Sequence, residues 1–113
     1  MLEIFTAQYR YSGGDRLDIT VKGKDPLGKV FAPSWDMVMK LKGGVITQKE
    51  YEDLYYQKMF YSYKKHRAEW EIVLDMPRVT LVCFCKSKYF CHRALLAKYL
   101  EKLGGNYVGE IAL

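Results

Sequence analysis

Acidic residues are the scarcer charged class: thirteen Asp and Glu stand against eighteen Lys and Arg in 113 residues, a formal charge of +5. The excess favours an anionic partner, but the cations are scattered, with only Lys64-Lys65-His66-Arg67 forming a run. Cysteine is also sparse. All three lie between positions 83 and 91, an odd and bunched set that excludes a disulfide framework and suggests a local chemical site in a reducing compartment. Long hydrophobic runs are missing as well. The longest, Val79 to Cys85, is interrupted by Thr80 and far too short to span a bilayer, and Met1 to Arg10 lacks the basic-then-apolar order of a secretion signal. These absences predict a soluble, cytoplasmic protein. Repeats and low-complexity stretches are absent too, and half the residues are hydrophobic, so a single α/β domain over residues 1–113 with one core is expected.

Glu3 to Tyr11 is rich in β-formers and runs into the turn Ser12-Gly13-Gly14-Asp15, which predicts a first strand; Leu17 to Val21 is a second, short one. Gly23 to Phe31 is expected to be an irregular loop because glycines and Pro26 break any period. Pro33-Ser34-Trp35 opens a short helix that Gly43-Gly44 stops. Thr47 and Glu50 form a capping box, and an apolar stripe from Tyr51 to Leu74 follows, read as one long helix that could continue to Asp75 with room for a break near Tyr61 to Lys65. His66 falls on that stripe, where a lone histidine is ordinarily a core residue. Arg78 to Cys85 reads as a central strand covered on both faces, Cys91 to Leu103 as a helix, and Asn106 to Ala112 as a closing strand. Strand, helix and strand at this spacing imply a parallel crossover, and thus a small, mostly parallel sheet with helices packed on it.

The chemistry concentrates where the Cys83 strand gives way to the next helix. Ligands of open α/β sheets bind beyond the carboxyl ends of the strands, and the amides at the start of the Cys91 helix would form an anion site. Arg93, in the first turn, opposes the helix dipole unless an anion or carboxylate lies near it. Lys86 and Lys88 add positive charge, and Tyr89 and Phe90 offer flat faces on which a base could stack. Trp35 is a further candidate for a nucleotide pocket. Thr6, Gln8, Tyr9 and Arg10 face the same crevice if the first strand runs parallel to the Cys83 strand.

Three readings of the cysteines stay open. Cys83, Cys85, Cys91 and His92 number four ligands, but structural zinc usually draws ligand pairs from separate segments, and adjacent Cys91 and His92 aim poorly at one ion; no metal or cofactor is expected. Cys91, at a helix N-terminus beside His92 and Arg93, has the surroundings of a nucleophilic thiol. Cys83 on a buried strand also reads as a small core residue. A phosphatase Cys-x5-Arg loop is excluded, because the positions that would need arginine hold Cys91 and Tyr89.

The opening strand with Thr6, then Ala32-Pro33-Ser34-Trp35, Lys42-Gly43-Gly44, Glu50-Tyr51, Leu81-Val82-Cys83 and above all Phe90-Cys91-His92-Arg93 resemble the short bacterial and phage members of the domain of unknown function 488 family. The resemblance implies a Rossmann-like α/β fold and carries over Cys83, Cys91, His92 and Arg93 as site residues. The family pattern near the strand end is Cys-x-Glu, where this chain has Cys83-Phe84-Cys85; loss of that carboxylate favours binding over turnover. The expected function is binding of a nucleotide or nucleotide-derived small molecule through Thr6, Tyr9, Trp35, Cys83, Lys86, Tyr89, Cys91, His92 and Arg93. In a viral setting this would be an anti-defence sponge for a signalling nucleotide in the host cytoplasm. The alternative is a nucleotide or nucleoside hydrolase in which His92 and Cys91 are catalytic. Nucleic acid is a less favoured partner, and a homodimer that completes the pocket is left open.

Overall fold

The computed structural model describes residues 1–84 and 92–113. In chain order the elements are β1 (Glu3–Gln8), β2 (Arg16–Asp18), α1 (Pro26–Lys29), α2 (Trp35–Lys42), α3 (Gln48–Lys65), α4 (Arg67–Leu74), β3 (Arg78–Cys83), α5 (His92–Lys102) and β4 (Asn106–Glu110). The strands form one sheet in the order β2-β3-β1-β4, and all pairings are parallel. The last two strands are thus parallel as the crossover implied, but they are not neighbours: β1 lies between them, and α5 packs across β1, β3 and β4. Among the described residues no helix is long and apolar enough to cross a membrane.

Side-chain alternation sorts the two faces. Ile4, Leu17, Val79, Leu81 and Cys83 join helical residues including Tyr55, Met59, Trp70, Leu96 and Leu100 in one apolar core. Trp70 is fully buried there, with its indole N–H donating to Ser62 Oγ at 3.0 Å, so the ring contributes its apolar area without an unpaired polar atom. The stripe on α3 is not purely apolar for a related reason. The Tyr55 hydroxyl, Lys58 Nζ and Ser62 Oγ donate to the carbonyls of Phe31, Ala32 and Val30, and positions spaced by three and four residues can reach one extended segment.

The helix signals mostly hold. Ser34 Oγ accepts from Met37 N–H, so Ser34 caps α2 and Pro33 stands before it; Thr47 and Glu50 form the reciprocal capping box of α3. Three departures have local causes. The stretch expected to be irregular contains α1, because Asp25 caps Leu27 and Pro26 occupies a position whose N–H has no helical partner. Asp18 Oδ1 accepts from Thr20 N–H, which turns the chain and leaves β2 shorter than Leu17–Val21. The long helix breaks at His66, where φ is −117° and ψ 42°; His66 is not a core residue but lies partly exposed, 3.8 Å from Glu69.

The segment 9–15 returns the chain from the carboxyl end of β1 to the start of β2 without a helix, and Asp15 fastens it to β3. Its carboxylate accepts from Thr80 Oγ1, from Tyr11 OH at 2.6 Å and from Arg78 Nε at 2.7 Å, and its carbonyl accepts from Thr80 N–H at 2.9 Å. Burial opposes ionisation of Asp15, but the bonds from Thr80, Tyr11 and Arg78 outweigh it and hold the pKa at about 2. The folded-state value lies below the ordinary 3.8, so this stabilisation is complete above pH 3.8 and is lost as pH falls towards 2. Asp15→Asn should therefore lower stability at pH 7 by about 1–3 kcal/mol and flatten the fall in stability below pH 4. Urea unfolding at a series of pH values reads both effects, and an undiminished acid slope in the variant would show that another carboxylate governs it.

Candidate functional site

The carboxyl ends of β1, β3 and β4 and the start of α5 meet at Arg93. A guanidinium 1% exposed carries a desolvation cost of several kcal/mol unless it is paired and hydrogen-bonded. It is both. Arg93 Nε and Nη2 donate to the two oxygens of Glu110 at 3.0 and 2.7 Å, and Nη1 donates to Cys83 Sγ at 3.2 Å. The carboxylate that a first-turn arginine requires is therefore Glu110, brought from β4 on the far side of β1.

Glu110 reaches this position because β4 is bulged. Tyr107 pairs with Ile4 and Glu110 with Thr6, so the register slips by one residue between them. In an unbroken strand, residues 107 and 110 would point to opposite faces; the bulge at Gly109, whose φ is +148°, turns Glu110 back to the face of Tyr107. Thr6, buried between them, shares a 2.8 Å hydrogen bond with the Tyr107 hydroxyl and a further one with Glu110. A carboxylate only accepts, so Thr6 donates to it and Tyr107 donates to Thr6. Partial burial raises the Glu110 pKa, but the Arg93 and Thr6 hydrogen bonds overcome this and the net shift is downward, so Glu110 is ionised at neutral pH.

His92 extends in the other direction along the same edge. Consecutive residues of a helix lie about 100° apart, and His92 Nε2 lies 3.0 Å from the carbonyl of Ile19, just beyond β2. Burial lowers its pKa most strongly, against smaller opposing effects of Cys83 and the Ile19 carbonyl; the imidazole is neutral, and since the carbonyl can only accept, Nε2 carries the proton and Nδ1 the lone pair. Beside it, Asp18 is buried with Oδ1 accepting from Thr20 Oγ1 and Oδ2 from the Tyr9 hydroxyl at 3.3 Å. The Tyr9 ring stacks on Phe84 with centroids 3.9 Å apart and planes at 15°, and Phe84 is 65% exposed.

Of the residues nominated from sequence, Thr6, Tyr9, Cys83, His92 and Arg93 come together on this edge, and β1 does run parallel to β3. Cys83 belongs both to the core and to the arginine's shell. Trp35 is half exposed in the first turn of α2, where Lys22 Nζ stands 4.8 Å from its ring centre, outside the hydrogen-bonded set. Lys86, Tyr89 and Cys91 lie outside the described residues, as do Cys85, Lys88 and Phe90. Sequence reasoning did not single out Asp18, Thr20, Phe84 or Tyr107, and placed Glu110 only in the closing strand. Gly109 inside that strand was the available signal for a re-aimed side chain. Among the described residues no group of histidine, cysteine and carboxylate side chains could hold a metal ion.

Two measurements check this arrangement. Gly109→Ala should cost about 1–3 kcal/mol, since φ near +148° is essentially restricted to glycine, and should weaken the acid-dependent stabilisation contributed by Glu110; a variant as stable as the parent would show that the bulge is not required. In an NMR titration the His92 ring should stay neutral through pH 6.5, where a free histidine is half protonated. A midpoint at or above 6.5 would contradict burial as the dominant influence.

A protein-family model described as the active DUF488-N3 subclade matches residues 1–104. No curated protein and no solved structure matches the chain. Matched from the opening strand through the helix that carries His92 and Arg93, the chain belongs to the DUF488 family.

Proposed function

We propose that the carboxyl edge of the sheet binds a nucleotide or nucleotide-derived small molecule. The observation that carries this reading is a pair of unlike features at the end of β3: a nearly parallel Tyr9–Phe84 stack whose Phe84 ring is exposed, and a fixed cation, Arg93, bonded to Cys83, the residue before Phe84. The stack offers a flat face to a base. Helix amides and Lys86 provide for the phosphate, and Arg93 acts mainly by its field and by fixing the pocket wall, since Glu110 already occupies its fork. In a phage the same binding would withdraw a signalling nucleotide from the host. The neutral His92, with Nδ1 as its basic nitrogen, favours a second reading in which the ligand is hydrolysed with Cys91 as nucleophile.

Calorimetry with a panel of adenine, guanine and cyclic nucleotides tests the proposal. At least one should bind, and Phe84→Ala, at an exposed position, should weaken it about 5- to 100-fold, the range of one lost base–aromatic stack. Absence of heat with every nucleotide, or unchanged affinity in the variant, would overturn it. Separation of products after prolonged incubation with the protein and with Cys91→Ser distinguishes the two readings: intact ligand leaves binding alone, and cleavage abolished by the substitution supports hydrolysis.

A further inference from the structure

The proposed site leaves unexplained a second surface. Tyr56, Phe60 and Tyr61 of α3 and Tyr99 of α5 line an open groove of about 540 Å³ together with Asp53 and Gln57. Phe60 is 49% and Tyr61 70% exposed. Tyr56 and Tyr99 pack partly against the core, but Phe60 and Tyr61 do not: they stand on the side of α3 away from the Tyr55, Met59 and Ser62 positions that pack inward. Adjacent exposed aromatics of this kind mark a binding surface more often than chance.

The charges around the groove specify the partner. Asp53, in the groove lining, is paired with Lys49 at 3.2 Å, and Glu52 lies near enough to Tyr56 to act on its hydroxyl. Lys64 Nζ lies 4.3 Å from the centre of the Phe60 ring and Lys102 Nζ 5.8 Å from that of Tyr56, and neither lysine takes part in an ion pair among the described residues. The two lysines meet the rings differently: Lys64 lies against Phe60 four positions before it on α3, and Lys102 reaches from α5 to Tyr56 of α3. Two ammonium groups bordering a row of ring faces match a polymer that alternates phosphates with flat bases.

We propose that the α3–α5 groove binds single-stranded nucleic acid without sequence preference, with bases on Tyr61 and Phe60 and phosphates on Lys64 and Lys102. This surface is separate from the sheet edge: Tyr99 is seven residues along α5 from His92, about 10 Å at the helical rise.

Fluorescence anisotropy with a labelled dodecathymidylate tests it. Raising salt from 50 to 200 mM should weaken binding about tenfold, as two to three neutralised phosphates on a single strand require. The double variant Phe60→Ala, Tyr61→Ala should lose at least tenfold in affinity, and Lys64→Ala, Lys102→Ala should flatten the salt dependence. Retained nucleotide heat in these variants would show that the fold and the sheet-edge site are intact. Absence of oligonucleotide binding, or binding indifferent to both double variants, overturns the proposal. A dimer in sedimentation that the aromatic double variant converts to monomer would also overturn it, by giving the surface to a second copy of the chain.

Discussion

The rest of the edge depends on a buried guanidinium that has to be neutralised. Arg93 sits where the helix dipole is unfavourable and water is excluded, and each condition alone would disfavour it. Its bidentate pair with Glu110 resolves both, at a structural cost carried elsewhere: α5 must cross β1 so that its first turn reaches both β3 and β4, and β4 must bulge at a glycine so that its last carboxylate points inward. Thr6 and Tyr107 then fall into a fixed donor order. The strand at the centre of the sheet, its edge neighbour and the helix N-terminus are thereby held by one charge.

How far this could be read from sequence depended on the distance over which each cause acts. The Thr47–Glu50 box, Ser34 before Trp35, Gly44 after α2 and the buried run of β3 are set by neighbouring residues, and all were legible. The sheet order was not. Nothing local says that β1 inserts between β3 and β4, because that choice is made by the shared core of α5. Arg93 announced that it needed a carboxylate, but not which; position 110 became its partner only through a register slip. Asp18 gave no sign of burial, since its acceptors are filled by Thr20 and Tyr9, one nearby and one from the segment before β2.

His92 and Arg93 show how one helical turn divides its work. The two side chains diverge along the edge, one to the carbonyl beyond β2 and the other to the carboxylate of β4, so they span all four strands of the sheet. One is uncharged and keeps a basic nitrogen; the other keeps its charge but has little freedom. An edge built in this way is preorganised: a ligand bound there as proposed would not have to order either group, which would reduce the entropy lost on binding.

The departure from the family's Cys-x-Glu pattern bears on this division. Position 85 holds cysteine, yet Arg93 is not left unpaired, because Glu110 neutralises it. A glutamate at 85 is therefore unnecessary for the stability of the buried cation. What its absence removes is a carboxylate able to move a proton. Glu110 cannot readily replace it, since its pKa is driven down by Arg93 and Thr6, which makes it a weak base at neutral pH. Proton transfer at this edge then falls to His92, whose buried ring resists the positive charge a base must acquire. On the proposed reading, the same interactions that make the site rigid and electrostatically defined would serve to hold an anion more than to transform one.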